Sequence, residues 1–216
     1  RPFGGRLDAA QISGLARLAE RHGNGLIDVT SRANLQIRGV SEGSHRLLRD
    51  GLSQLALLDP DADTESRRNI LVTPFWRAGD ETEALAAELE EALENSVLAL
   101  PTKFGFAIDD GTSRVLAGDS ADVRIERDGA GGLLVRANGA SIGRSVGRGE
   151  AVTAALALAT WFVTSGGARD GRGRMAAHLA AGAALPDALR GEAEPVPIMA
   201  AARPGLYPQG AMVGVA

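Results

Sequence analysis

Asp28-Val-Thr-Ser-Arg-Ala-Asn-Leu-Gln-Ile-Arg-Gly39 is the stretch whose reading decides the fold. At strand period, Thr30, Arg32, Asn34, Gln36 and Arg38 share one face, and Ser31, Ala33, Leu35, Ile37 and Gly39 share the other. The second set is small or apolar and can pack on a core. The first aims guanidinium groups and carboxamides in one direction, which suits a multiply charged anion. A sheet with one solvated face gives the same pattern.

Working outward, residues 26–30 read as a short strand and residues 32–40 as a second, with Ser31 and its neighbours as the turn. Upstream, Asp8 is an N-cap for a helix that places Ile12, Leu15, Ala16, Leu18 and Ala19 on one face and ends at Gly23. Downstream, a helix over about 44–57 carries the stripe Leu47, Leu48, Leu52, Leu55. With residues 1–3 as the end of a first strand, the order is β-α-β-β-α. That is half of a ferredoxin-like sandwich, which needs a partner sheet. The half-domain is expected over 1–58.

Asp59-Pro-Asp-Ala-Asp-Thr-Glu65 reads as an acidic linker. A larger α/β domain is expected over 59–190. It has strands at 68–74 and 103–109, and a hairpin of 122–127 with 133–138 around Asp128-Gly-Ala-Gly-Gly132. An Ala/Glu/Leu helix over 81–95 reads as largely solvated. The helix over 150–164 is strongly apolar and is expected to be buried; a short helix follows at 174–181. Residues 191–208 read as a linker and 210–216 as a strand, so 191–216 is expected to open a second copy of the first unit.

The 216 residues are 44% hydrophobic and 23% charged, ordinary for a globular chain. A net charge of −4 argues against a general nucleic-acid binder, so basic residues must act locally. The absence of cysteine excludes disulfides, Cys-ligated zinc and a Cys-ligated iron–sulfur cluster within these residues. No run approaches the ~20 apolar residues of a membrane span. The ends look cut, and the chain is expected to be part of a longer protein.

Other segments could carry chemistry: Arg67-Arg68-Asn69 before an apolar strand, Lys103 in Leu100-Pro-Thr-Lys-Phe-Gly-Phe106, and the basic loop Gly166-Gly-Ala-Arg-Asp-Gly-Arg-Gly-Arg174. The loop could hold an anion through exposed N–H groups and arginines. It has neither the order of a Walker A motif nor that of a dinucleotide fingerprint. His22, His45 and His178 lack metal-ligand spacing, and Asp109-Asp110-Gly111 is first a turn signal. No catalytic residue is assigned.

Thr30, Arg32 and Gln36 in a Thr-x-Arg-x-x-x-Gln pattern, then Arg68-Asn69, then Lys103 after Leu-Pro, then Arg169-Asp-Gly-Arg172 with Arg174-Met175, together resemble the sirohaem nitrite/sulfite reductase superfamily. The resemblance implies an α+β fold, with a ferredoxin-like half-domain followed by a haem-protein-like α/β domain. Within the superfamily the segments look most like the precorrin-3B synthases of aerobic cobalamin biosynthesis. That branch implies an O2- and NADH-dependent monooxygenase, hydroxylating precorrin-3A at C20 with γ-lactone formation. It also implies a 4Fe–4S cluster and an iron, with ligands beyond residue 216. The implied substrate-binding residues are Arg32, Asn34, Gln36, Arg38, Arg68, Asn69, Lys103, Arg169, Arg172 and Arg174. Implied partners are precorrin-3A and the C-terminal half of the same protein, with no nucleic acid and no membrane, in the cytoplasm. Sirohaem sulfite reductases carry a second lysine where this chain has Gly105, which weakens the reductase reading and is expected to leave room beside the macrocycle. The alternatives are a sirohaem-dependent reductase fragment and a non-catalytic tetrapyrrole-binding module.

Overall fold

Asp8 and Gln11 open the first helix reciprocally. The Asp8 carboxylate accepts from Gln11 N at 2.7 Å, and Gln11 Oε1 accepts from Asp8 N at 3.0 Å. The helix, α1 (Ala9–His22), leads into an antiparallel hairpin of β1 (Ile27–Val29) and β2 (Leu35–Ile37). The next helix, α2 (Glu42–Gln54), starts earlier than expected because Ser41, not Ser44, is its cap. Leu15, Ala19 and Leu48 are buried between α1 and α2. The helices approach closely at glycines: a Cβ at Gly14 would run into Leu55, and one at Gly51 into Leu18.

The computed structural model describes residues 1–199 and the backbone of 206–209 and 212–215. Its chain forms two compact units, Arg1–Glu65 and Ser66–Ala216. The α+β class stands, with corrections in the first unit. Residues 3–5 are a 3₁₀ turn rather than a strand, because Gly4 and Gly5 curl the chain with φ of 58° and 71°. The acidic run is not a free linker either. The Asp61 carboxylate accepts from Thr64 N at 2.7 Å at the start of α3 (Ala62–Arg67).

The second unit is built on one mixed sheet, in the order β3 (Ile70–Val72), β4 (Phe106–Asp109), β5 (Val123–Arg127), β6 (Leu133–Ala137), β7 (Arg144–Val146). The first three strands are parallel, and β5, β6 and β7 run antiparallel in turn. Phe106, Ile108, Val123, Ile125, Leu133 and Val135 form the core face against α4 (Glu81–Glu94) and α5 (Ala151–Thr164). Contrary to the solvated reading, α4 is a core helix, because Leu85, Leu89 and Leu93 at i, i+4, i+8 are fully buried. Short helices α6 (Met175–Ala180) and α7 (Asp187–Arg190) follow α5.

The alternation that sends Val123 and Ile125 into the core sends Arg124 and Glu126 to the opposite face, where both are also buried. Arg136 grips Glu126 with Nε and Nη2 at 2.8 and 2.9 Å, and Arg114 Nη1 lies 3.5 Å from the same carboxylate. The Arg124 guanidinium donates to Asn138 Oδ1, Leu116 O and Asp119 O at 2.6–2.9 Å. This ionic layer is covered in part by residues 193–199, which are therefore not a free linker. Ala193 pairs with Gly143, Val196 N donates to Arg127 O, and Met199 N donates to Arg114 O. Strands β8 (Leu206–Gln209) and β9 (Met212–Val215) pair antiparallel, and the rest of the expected linker and last strand lies outside the described residues. No helix among the described residues is long and apolar enough to cross a membrane.

Candidate functional site

In the first unit the hairpin register sets Asp28 opposite Gln36. Thr30 N donates to Asn34 O at 2.8 Å, so the ladder closes there. The Thr30 hydroxyl accepts from Arg32 N at 3.4 Å and Asn34 N at 3.2 Å, and Ala33 takes a left-handed φ of 52°. Strand alternation therefore fails at Arg32 and Ala33. Asn34, Gln36 and Arg38 share a face with Asp28, while Arg32 leaves from the turn. Arg38 is engaged in an exposed ion pair with Asp28 at 2.6 Å. Arg32 is half-buried, with no side-chain partner among the described residues. Asn34 is half-buried and Gln36 exposed. On the reverse, apolar face Val29 is 75% exposed, so the hairpin leaves apolar surface uncovered.

In the second unit the remaining segments meet at the amino-terminal ends of β3, β4 and β5. Arg68, just before β3, is buried with Nη1 3.6 Å from Glu90 of α4. Asn69 donates from Nδ2 to Phe104 O at 3.0 Å and accepts at its carbonyl from Phe106 N at 2.8 Å. The carboxamide thus fixes the turn that carries Lys103, which is exposed and has no side-chain partner among the described residues. Gly105 does not leave the expected room, because a Cβ there would lie 2.7 Å from Asn69 Nδ2.

Asp122 is the residue the sequence reading missed. Its carboxylate is fully buried and accepts from Gly105 N at 3.0 Å, Arg174 Nε at 2.9 Å and Met175 N at 2.7 Å. Arg174 also donates to Ser120 Oγ at 2.9 Å and Ala121 O at 3.3 Å, so its guanidinium braces the loop. Within that loop Arg172 N donates to Arg169 O at 2.8 Å across a tight turn at Asp170 and Gly171, with φ of 50° and 67°. Arg169 and Arg172 are exposed. The Phe104 and Phe162 rings pack at 4.9 Å, and a Cβ at Gly167 would strike Phe162. One carboxylate and one aromatic pair thus anchor both the Lys103 loop and the arginine loop. Arg68, Asn69 and Arg174 hold the scaffold, while Lys103, Arg169 and Arg172 present charge to solvent. An acid immediately before an alternating strand, downstream of Lys103 and upstream of an arginine loop, was the signal for Asp122.

The histidines form no metal or catalytic set. His178 Nε2 lies 2.8 Å from Ser165 Oγ, beside the Trp161 and Phe162 rings. Among the described residues no group of His, Asp or Glu could hold a metal ion, and the chain has no cysteine. The residues present do not fit a thiolate-held 4Fe–4S cluster.

Residues 1–55 match the family model of the nitrite/sulfite reductase ferredoxin-like half domain. Over 134 residues the chain is 32% identical to a precorrin-3B synthase of a Sinorhizobium species. That match covers 58% of this chain and 28% of the relative's length. Both findings support the resemblance carried by the motifs.

Proposed function

We propose that this chain is the N-terminal part of a precorrin-3B synthase-type oxidoreductase of cobalamin biosynthesis, acting in the cytoplasm, and that it holds the carboxylates of precorrin-3A. The observation that carries this reading is the division of labour at the edge of the sheet. Arg68, Asn69, Asp122 and Arg174 are bonded internally, leaving Lys103, Arg169 and Arg172 exposed on anchored loops. Arg32 in the first unit is likewise available, at the hairpin turn, with Asn34 and Gln36 on the strand face that follows it. Planar guanidinium groups suit bidentate carboxylate recognition, and pre-anchored loops lower the ordering cost of binding.

The organisation proposed is a half-domain over 1–58, an α/β domain over 59–190 and, from 191, the approach to a second repeat. The reaction would be the O2- and NADH-dependent hydroxylation of precorrin-3A at C20 with γ-lactone formation. The cluster, the iron and their ligands would belong to the remainder of the protein. This chain's part is to bind and orient the acid-bearing rim.

The test is titration of the intact protein with precorrin-3A. Arg32→Ala and Arg172→Ala are each expected to weaken binding about tenfold, the loss of one charge-assisted contact. Unchanged affinity in both would overturn the reading. The half-domain match also favours a sirohaem-dependent reductase, for which a sirohaem absorption band in the purified intact protein is decisive. Tetrapyrrole binding without any redox centre in the intact protein would instead identify a non-catalytic module.

A further inference from the structure

The carboxyl-terminal ends of β3, β4 and β5, opposite the edge just described, surround a cavity of about 470 Å³. Ligands of open α/β sheets characteristically sit outside the carboxyl ends of parallel strands, and this volume suits a small molecule. Each strand supplies a wall residue directly after or at its end: Thr73 after β3, Asp110 after β4 and Arg127 in β5. Glu81 and Thr82 come from the first turn of α4, and Trp76 adds an aromatic wall.

The charge arithmetic there is opposite to that of the other edge. Arg127 donates from Nε to Asp110 O at 2.6 Å, from Nη1 to Gly131 O at 2.8 Å and from Nη2 to Glu81 Oε1 at 2.6 Å. Its fork is directed at protein acceptors. Asp110 Oδ1 accepts from Thr82 Oγ1 at 2.8 Å, but Oδ2 stands 4.0 Å from Arg127 Nη2, too far for a hydrogen bond. The Asp110 side chain is almost fully buried. Asp80, Glu81 and Asp110 all line the cavity, against Arg127 among its lining residues and Arg148, whose Nε lies 3.9 Å from the second Glu81 oxygen, and this acidic excess disfavours an anion. A cation entering the cavity could reach Asp110 Oδ2, with Trp76 as an aromatic wall of the same cavity, a pairing of groups that favours ammonium compounds.

We propose that this cavity binds a small organic ammonium compound, its cationic nitrogen on Asp110 Oδ2 and its apolar part against Trp76 and Val115. The site uses none of the residues assigned to precorrin-3A and does not depend on that assignment. The test is calorimetric titration of the full chain with 2-phenylethylammonium, and separately with the neutral 2-phenylethanol and the anionic phenylacetate. Saturable binding of the ammonium compound is expected, at least about tenfold tighter than either comparator. Asp110→Asn, which keeps the acceptor for Thr82, is expected to abolish that preference while the circular dichroism spectrum is retained. No saturable binding of the ammonium compound overturns the proposal, as does equal binding of the alcohol or the acid by the wild-type chain. The wild-type comparison decides the matter even if the variant misfolds.

Discussion

Asp122 joins the loop before β4 to the loop before α6 through a single carboxylate. Replacing it by alanine removes the acceptor for Arg174 Nε and leaves the Gly105 and Met175 amides unpaired in a buried site. Breaking a buried pair costs about 3–5 kcal/mol, and the low end applies because Arg174 is 33% exposed. Urea unfolding of Asp122→Ala should show that loss, whereas Arg172→Ala, fully on the surface, should stay within about 0.5 kcal/mol of wild type. A loss below about 1 kcal/mol for Asp122→Ala would remove its anchoring role. Gly105→Ala makes a related point: its Cβ would press on Asn69 Nδ2, disturb the bond to Phe104 O and cost about 1–3 kcal/mol in the same assay. The motif residues were legible in the sequence, but their roles were not. Periodicity reveals that Arg174 follows a glycine-rich loop; it does not reveal an acid 52 positions earlier that neutralises it.

Among the elements, the hairpin shows where pattern reading stops. The strands and their antiparallel pairing followed from alternation, but the turn came late. The Thr30 hydroxyl caps the backbone of Arg32 and Asn34, pulling Arg32 out of the strand. A threonine at strand period and a threonine capping a turn are the same letter. The cost of this turn falls on Ala33, whose φ of 52° is unfavourable for any residue with a Cβ. Ala33→Gly should therefore raise stability by about 0.5–1 kcal/mol, the left-handed penalty less the extra entropy of glycine. The readout is the denaturant midpoint of the full chain; a lower midpoint would mean that the turn is not strained at Ala33. Helix α4 was mis-weighted for a different reason. Its many glutamates suggested solvation, yet a single leucine stripe was enough to bury one side.

At the scale of the whole molecule, the second unit sorts its charge by depth as well as by edge. Val-Arg-Ile-Glu-Arg in β5 reads as a strand with one wet face, so nothing in the pattern distinguished solvent from the buried ionic layer that Arg124, Glu126 and Arg136 form. Burial there carries a pH signature. It pushes the Asp109 and Asp110 carboxyls above their ordinary range, and hydrogen bonds from Leu116 and Val115 to Asp109 and from Thr82 to Asp110 offset it only in part. A raised acid binds its proton more tightly in the folded chain than in the unfolded one. Its favourable contribution is present below the unfolded value, about 3.9, and is lost as pH rises through the folded value. The ionised form of Asp110, faced by Arg127, Glu81 and Thr82, is consequently a burden on the fold. Asp110→Asn should unfold at higher urea than wild type at pH 7, and the gap should narrow as the pH is lowered. Exposed Glu88, held low by its hydrogen bond to Arg148, shifts both proteins equally and cancels in the comparison. A gap that widened on acidification would mean that Arg127, rather than burial, governs the Asp110 carboxyl in the folded chain.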